Sequence, residues 1–244
     1  YFQNPPTPYP ATDNGNRNRK TIKRGASLTT GPIFDVSNSG SSVTIGDVTL
    51  DGQGIDAQAP LIKASTGTVS IRKDAVLQNN KVTTDGTASA IDLSGSASLD
   101  MNYGTITGNT SKDGSAVKFA SSGDFKVGNT VNIYDNKDAG NKQANVFLAT
   151  GKVITTTNNL GDSRIGVSVE QLPANNNEGT LVATRSAGMT FMPYSPLNFP
   201  ADKDGNVVNS GDVSKKITGT GGATAQDTDK IYLRANFYTL TVNY

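Results

Sequence analysis

The chain repeats a pattern of alternating apolar and polar residues, and this repeat limits its possible folds more than any other feature. Three short alternating segments, separated by Ser-, Gly- and Asn-rich turns, make up each repeat unit. Such segments cannot bury an apolar face alone, but they can when the units stack. The equivalent apolar positions of the first segment, at separations of 28, 29, 26 and 29 residues, are Phe34, Ile62, Ile91, Val117 and Val146.

This unit length, without helical periodicity, predicts an all-β fold. We expect a right-handed parallel β-helix with three strands per coil, about five to six coils and a β-rich C-terminal extension. In the second segment the apolar pairs are Val43/Ile45, Val69/Ile71, Leu99/Met101 and Phe125/Val127. In the third segment they are assigned to Val48/Leu50, Val76, Ile106 and Val131/Ile133.

The outward positions of the first segment carry charges of alternating sign. Asp35, Lys63, Asp92 and Lys118 follow one another, and Phe147 takes the fifth position. If the coils stack in register, neighbouring side chains lie about 4.8 Å apart and each charge lies beside its opposite. We interpret this row as a device that fixes the register and not as a ligand site.

An asparagine closes three successive units. Asn80, Asn109 and Asn136 are separated by 29 and 27 residues. Stacked asparagines can form hydrogen bonds along a corner of a β-helix, and asparagine tolerates the left-handed backbone conformation. These residues predict a structural ladder.

The two ends of the chain differ from the repeat. We divide the chain into a leader with a tag remnant at 1–25, a β-helix at 26–188 and a β-rich extension at 189–244, which we expect to lead into a following repeat or domain. Asp204-Gly205 predicts a hairpin turn, and residues 231–244 predict a long strand. A basic run near the start predicts a solvated strand or arm: Arg17, Arg19, Lys20, Lys23 and Arg24.

Composition excludes several classes of function. The 244 residues contain no His, Cys or Trp. Catalytic sites that need imidazole or a thiol, His-ligated metals and disulfides are therefore absent. With 22 Lys+Arg against 21 Asp+Glu, the net charge of +1 gives no electrostatic reason to expect nucleic acid or an anionic membrane as the main partner. The apolar runs are too short to span a bilayer.

Residues 30–185 resemble the pectin-lyase-like β-helices of cell-surface proteins from Gram-positive gut and mucosal bacteria. The resemblance is carried by the stretch 135–148, by Gly151-Lys152-Val153-Ile154 and by Arg164-Ile165-Gly166-Val167, which look like the closing coil of those proteins. The β-helix binding regions of serine-rich-repeat adhesins from lactobacilli are similar. Residues 238–244 look like the opening of a mucin-binding-type or Ig-like repeat.

The resemblance implies a non-catalytic adhesin domain on the cell surface or cell wall. We expect it to bind a host or plant glycan, a mucin or a surface protein, with no cofactor and no metal, as a monomer within a longer multidomain chain. Exposed aromatic and cationic side chains near one edge are the candidate ligand contacts: Tyr103, Tyr134, Arg72, Lys73 and Lys126.

Two alternatives remain open. A calcium-dependent polysaccharide lyase of the pectate-lyase type would need clustered Asp residues and a nearby Arg or Lys base. In the sequence, Asp92 and Asp100 alternate with Lys118 and Lys126, and these cations oppose such a cluster. Ice binding through stacked Thr rows is less favoured, because Thr does not recur at equivalent positions of successive coils.

Overall fold

The computed structural model describes residues 20–171, 180–187, 189, 198–202, 206–210 and 230–235, and this part of the chain is nearly all β structure. Its strands, in chain order, are β1 (Lys20–Lys23), β2 (Phe34–Val36), β3 (Ser42–Ile45), β4 (Val48–Asp51), β5 (Asp56–Ala57), β6 (Ile62–Ala64), β7 (Thr68–Ile71), β8 (Val76–Gln78), β9 (Lys81–Val82), β10 (Ile91–Leu93), β11 (Ser98–Met101) and β12 (Gly104–Thr107). They continue as β13 (Thr110–Ser111), β14 (Val117–Phe119), β15 (Phe125–Val127), β16 (Val131–Ile133), β17 (Lys137–Asp138), β18 (Val146–Leu148), β19 (Ile154–Thr156), β20 (Arg164–Ile165), β21 (Val167–Val169), β22 (Thr180–Arg185), β23 (Asn206–Ser210) and β24 (Lys230–Ala235).

The strands stack into a parallel β-solenoid of about six turns, which confirms the predicted fold class. Sheet A has the order β1-β4-β8-β12-β16-β20, and sheet B has the order β2-β6-β10-β14-β18-β21. Sheet C has the order β3-β7-β11-β15-β19-β22-β24-β23. The structure adds a fourth ladder of two-residue strands, sheet D, with the order β5-β9-β13-β17.

The predicted register of the first segment is confirmed. Ile62 pairs with Phe34 on one side and with Ile91 on the other, and Val117 pairs with Ile91 and Val146. The outward charges therefore lie side by side in the order Asp35, Lys63, Asp92 and Lys118. Among the described residues, however, no ion pair joins two members of this row, and the ion pairs that form involve other residues. Lys118, for example, donates to the Gly86 carbonyl (2.8 Å).

The assignment of Val76 to the core row of the third segment is wrong. Leu77, which is fully buried, pairs with Leu50 and Ile106, whereas Val76 pairs with Thr49 and is half-buried. Ala75, which immediately precedes β8, is also fully buried. Because side chains alternate between the two faces, a register shift of one residue moves each of them to the opposite face.

The core is a column of aliphatic side chains from sheets A, B and C. Each coil contributes similar residues, such as Ile91, Leu99 and Ile106 in the third coil, and all three are fully buried. Phe119 and Phe125 add an edge-to-face ring contact with centroids 5.5 Å apart. This apolar packing joins each coil to the next one along the solenoid.

A row of buried asparagines runs beside this apolar column, as the spacing predicted. The backbone N–H of Asn80 donates to Oδ1 of Asn109 (3.1 Å), and that of Asn109 donates to Oδ1 of Asn136 (3.1 Å). All three residues are at most 1% exposed. The left-handed conformation belongs to the residues that precede them, Asn79, Gly108 and Asp135, and not to the ladder residues themselves.

Arg24 closes the N-terminal end of this row, so the prediction of a solvated strand or arm is wrong for this residue. Its side chain is fully buried, and its Nε donates to Oδ1 of Asn80 (3.0 Å). The remaining guanidinium nitrogens donate to main-chain carbonyls, among them those of Gly31 (2.7 Å) and Pro60 (2.7 Å). Desolvation lowers the pKa of Arg24. A Cβ at Gly52 would lie only 2.6 Å from Asn80 Oδ1, so the close approach of the backbone to Asn80 requires glycine at this position.

Asp202 closes the other end. Its Oδ2 accepts the backbone N–H of Asn145 (2.7 Å), and its Oδ1 accepts the Asn145 side-chain amide (2.6 Å). Phe199 is fully buried in the core, and the backbones of Pro200 and Asp202 form hydrogen bonds with Val167. A Cβ at Gly166 would overlap both the Asp202 carboxylate and the Asn145 amide.

The ends of the solenoid extend the sequence interpretation. The first strand, β1, lies within the segment 1–25 that was interpreted as a leader, and it pairs with β4. β22 joins the last turn in parallel, and β24 and β23 then continue sheet C in antiparallel orientation. The predicted tag remnant, the turn at Asp204-Gly205 and the strand beyond Ala235 lie outside the described residues.

Candidate functional site

A cleft of about 820 Å³ lies beside the outward face of sheet B, near the C-terminal end of the solenoid. Its floor comes from strands of sheet B, and its walls come from the loops that connect sheet D to sheet B. Some wall residues are held by hydrogen bonds to a neighbouring coil, as Gly86 is by Asp113, and others by hydrogen bonds within their own loop, as Lys142 is by Asp138. A rigid concave surface of this size is typical of a small-molecule site.

Phe147 forms the floor together with Lys118 and Ser168. These three outward residues are neighbours in register, since β18 pairs with β14 on one side and with β21 on the other. The Phe147 ring is half-buried, whereas the inward neighbours Val146 and Leu148 are at most 1% exposed. An aromatic ring therefore occupies a position where the preceding coils carry charges.

The walls are loops tied together by hydrogen bonds. An oxygen of Asp113 accepts the backbone N–H of Gly86 (2.6 Å), and the Lys118 ammonium donates to the carbonyl of the same glycine (2.8 Å). On the other side, Oδ1 of Asp138 accepts the backbone N–H of Lys142 (2.9 Å). These contacts hold the carboxylates of Asp113 and Asp138 and the ammonium group of Lys118 in place around the opening.

The charges around the cleft nearly balance. Its lining includes the carboxylates of Asp113 and Asp138 and the ammonium groups of Lys118 and Lys142. Asp202 also lines the cleft but is only 8% exposed. Burial raises the pKa of the Asp202 carboxyl to about 6, although the hydrogen bonds from Asn145 act in the opposite direction.

The predicted contacts Arg72 and Lys126 lie on a different face, that of sheet C. Nη2 of Arg72 contacts Oδ2 of Asp100 at 2.7 Å, and Asp100 is the register neighbour of Lys126. Lys126 also pairs with Asp124 (2.8 Å), and this hydrogen bond raises the pKa of the Lys126 ammonium. The structure thus brings Arg72 and Lys126 together around acidic partners.

Tyr103 and Lys73 lie at the corner between sheets C and A, one coil apart. The register of β7 and β11 places the Asn102-Tyr103 turn on the Arg72-Lys73 turn. Tyr103 has a φ of 119°, a conformation that costs about 1–3 kcal/mol for a non-glycine residue and is often found at functional sites. Tyr134 lies apart from these residues, because it follows the C-terminal end of β16 in sheet A, whereas Tyr103 precedes the N-terminal end of β12.

The cleft therefore contains none of the five predicted contacts, which remain predictions. Sequence reasoning missed it because its wall residues lie in turns of irregular length. One signal was present: Phe147 interrupts the outward row of alternating charges. An aromatic residue at a solvent-facing position of an otherwise charged row is the feature that could have indicated this face.

Two further findings concern metals and membranes. Within the described ranges, no three His, Cys, Asp or Glu side chains are grouped so that they could hold a metal ion. No helix in that same part of the chain is both long enough and apolar enough to cross a bilayer.

Comparison of the chain with protein-family models, with curated proteins and with solved structures gives no match.

Proposed function

We propose that this chain is a non-catalytic binding domain of a cell-surface adhesin, and that it recognises a glycan or a surface protein. The observation that carries the proposal is the preformed cleft around Phe147. Hydrogen bonds between coils hold Gly86, Asp113 and Lys118, and hydrogen bonds within one loop hold the backbone from Asp138 to Lys142, so little backbone freedom is lost when a ligand binds. A small loss of conformational entropy on binding leaves more of the contact energy for affinity, which an adhesive domain needs.

The scaffold supports the same proposal. A solenoid places successive coils at a fixed spacing of about 4.8 Å, so its outer faces are rigid and can present a row of contacts to an extended ligand. The cluster of Arg72, Lys126, Lys73 and Tyr103 offers a second such surface at the edge of sheet C.

A calcium-dependent polysaccharide lyase is the alternative. Such an enzyme would use clustered carboxylates for the cation and an Arg or Lys as the base. Here Asp100 is paired with Arg72, and Asp92 lies between Lys63 and Lys118 in register. Cations beside both carboxylates weaken the attraction for calcium, which favours the binding domain.

A binding screen tests the proposal. The protein would be applied to a glycan array, to immobilised mucin and to plant cell-wall polysaccharides. We expect saturable binding to at least one of these surfaces. An absence of binding to all of them would contradict the adhesin proposal.

A separate assay tests the lyase alternative. The protein would be incubated with pectin and with polygalacturonate in the presence of calcium, and ultraviolet absorbance would follow unsaturated products. We expect no turnover. Catalytic turnover that EDTA abolishes would replace the proposed function by the lyase activity.

A further inference from the structure

We propose that the cleft binds a short uncharged oligosaccharide, with one sugar ring stacked on the side chain of Phe147. This inference rests on the proposed binding function and names the ligand class and the site. It is carried by three properties of the cleft: an aromatic floor, polar groups that surround it, and balanced charge.

The aromatic floor supplies the stacking surface. Phe147 points away from the core, between Lys118 and Ser168, so its ring is not needed to fill the solenoid interior. The C–H face of a pyranose ring packs on an aromatic ring and removes apolar surface of both partners from water. The outward positions of the preceding coils in this row are charged, so the phenylalanine at the bottom of the cleft is better explained by contact with a ligand than by exposure to solvent.

The rim supplies partners for hydroxyl groups. Asp113 and Asp138 each hold one oxygen in a hydrogen bond to a loop N–H, and each carboxylate has a second oxygen that can accept. Asn141 and Gln143 add amide groups that both donate and accept. Sugar hydroxyls also donate and accept, so this mixture matches an oligosaccharide better than an apolar ligand.

The charge balance gives an ionised sugar no net electrostatic attraction. Two aspartates and two lysines line the accessible part of the cleft, while Asp202 turns its carboxylate toward Asn145. A uronic acid or an amino sugar would therefore meet as many like charges as opposite charges. Either would also have to lose the strong hydration of its charged group on entering the cleft, which favours a neutral ligand.

The size of the cleft sets the length of the ligand. A volume of about 820 Å³ lies in the upper part of the range of roughly 300–1,000 Å³ for small-molecule sites. It accommodates two or three sugar rings, of which one lies over Phe147 and the others reach the loop side chains.

The test uses calorimetric titration with a panel of trisaccharides. Maltotriose, cellotriose and galactotriose are the neutral probes, trigalacturonate is the anionic probe, and the glucosamine trimer is the cationic probe. We expect at least one neutral trisaccharide to bind more tightly than both charged ones. If none binds, or if a charged probe binds more tightly than every neutral one, the inference is overturned.

Variants locate the site. Phe147→Ala removes the ring and should weaken binding of the neutral probe at least tenfold, and Phe147→Leu, which keeps most of the apolar volume, should also weaken it. Lys63→Ala is the matched control, because Lys63 occupies the same outward row on a distant coil. If neither Phe147 variant weakens binding while thermal unfolding shows that they are folded, the site is elsewhere.

Phe147→Trp gives a direct spectroscopic readout, because the chain contains no other tryptophan. Its emission should shift on saturation with the neutral trisaccharide, and an unchanged spectrum would contradict stacking at this position. These outcomes separate the two proposals. Binding to mucin or a surface protein that Phe147→Ala leaves intact would keep the adhesin function and overturn the sugar site.

Discussion

Asn136 donates two hydrogen bonds to a single atom of Asn145: its backbone N–H and its side-chain Nδ2 both reach Oδ1, at 3.1 and 2.9 Å. The carbonyls of Ile106 (2.9 Å) and Tyr134 (3.0 Å) also lie within hydrogen-bond distance of this Nδ2, so its two hydrogens are shared among three acceptors. Asn136 is fully buried, so water cannot replace any of these partners. A single side chain thus ties together three segments from two coils.

Replacement of Asn136 by alanine should destabilise the solenoid strongly. The Asn109 N–H would lose its acceptor on this side chain, and the Ile106 carbonyl would keep only the backbone N–H of Tyr134 (3.2 Å). A buried group left unsatisfied costs about 1–3 kcal/mol. We expect a loss of roughly 3 kcal/mol, which corresponds to a fall in Tm of roughly 6–12 °C for a chain of this length. Thermal unfolding followed by circular dichroism measures it.

Asn158→Ala is the matched control for that experiment. Asn158 also contacts another asparagine, since its Nδ2 donates to Oδ1 of Asn129 (3.0 Å), but this pair is exposed. We expect a change within about 0.5–1 kcal/mol, because water can satisfy the groups that are left. Equal losses in the two variants would show that burial of the ladder does not matter.

Gly52→Ala should destabilise the N-terminal end. The added Cβ would lie 2.6 Å from Asn80 Oδ1 and 2.7 Å from the Asn79 carbonyl oxygen, and Asn79 is held by backbone hydrogen bonding. Overpacking of this kind costs about 1–3 kcal/mol. Urea denaturation gives the change in midpoint.

Gly25→Ala provides the comparison, because a Cβ at Gly25 would meet nothing within 4 Å and its φ does not require glycine. We expect it to be neutral or to stabilise by up to about 1 kcal/mol through the unfolded state. The explanation for Gly52 fails if both variants behave alike.

Stability should depend on pH through Asp202. The folded-state pKa of about 6 lies above the ordinary value of 3.8, so the folded protein binds this proton more tightly than the unfolded chain does. The stabilising contribution is therefore complete below about pH 4 and is lost as the pH rises through about 6. Arg164 acts in the opposite sense, because its charge favours the ionised form.

The measurement is Tm between pH 4 and pH 7 for the natural sequence and for Asp202→Asn, which cannot titrate. We expect the natural sequence to lose Tm across this range relative to the variant. Parallel pH profiles would contradict the assignment.

Reversal of one charge in the outward row of sheet B should be salt-sensitive. Asp92→Lys would place three lysines side by side on adjacent strands, and like charges that face each other cost up to about 1 kcal/mol. We expect urea denaturation at low salt to show this loss and 1 M NaCl to recover most of it, because the Debye length is then about 3 Å. Asp92→Asn, which introduces no new charge, should show little salt dependence; if it recovers equally in salt, repulsion is not the cause.

Sequence periodicity was sufficient to predict the stacking of the first two segments and the asparagine ladder, because period-2 alternation and regular spacing determine which residues become neighbours. In the third segment the inward residues of one coil were assigned wrongly, for a physical reason. Ala75 and Leu77 point inward, but alanine adds little apolar signal, so the larger Val76 was assigned to the core instead.

The ends and the cleft could not be predicted in the same way. Arg24 looks like one of several cations in a polar arm, and only the arrangement of five carbonyl and amide oxygens around it makes burial favourable. The short strands of sheet D contain two residues each, which is too few to show a period. The cleft depends on the path of three loops, and that path follows from contacts between distant coils.

The buried ladder has a direction. From Asn80 onward, the side-chain oxygen of each asparagine accepts a hydrogen bond from the preceding residue of the ladder, and its backbone N–H donates to the following one. A guanidinium can only donate and an ionised carboxylate can only accept, so Arg24 and Asp202 are two different terminators. A coil added outside either residue could not continue the ladder, because the Arg24 guanidinium offers no acceptor and the Asp202 carboxylate offers no donor. Two residues therefore end the ladder on both sides.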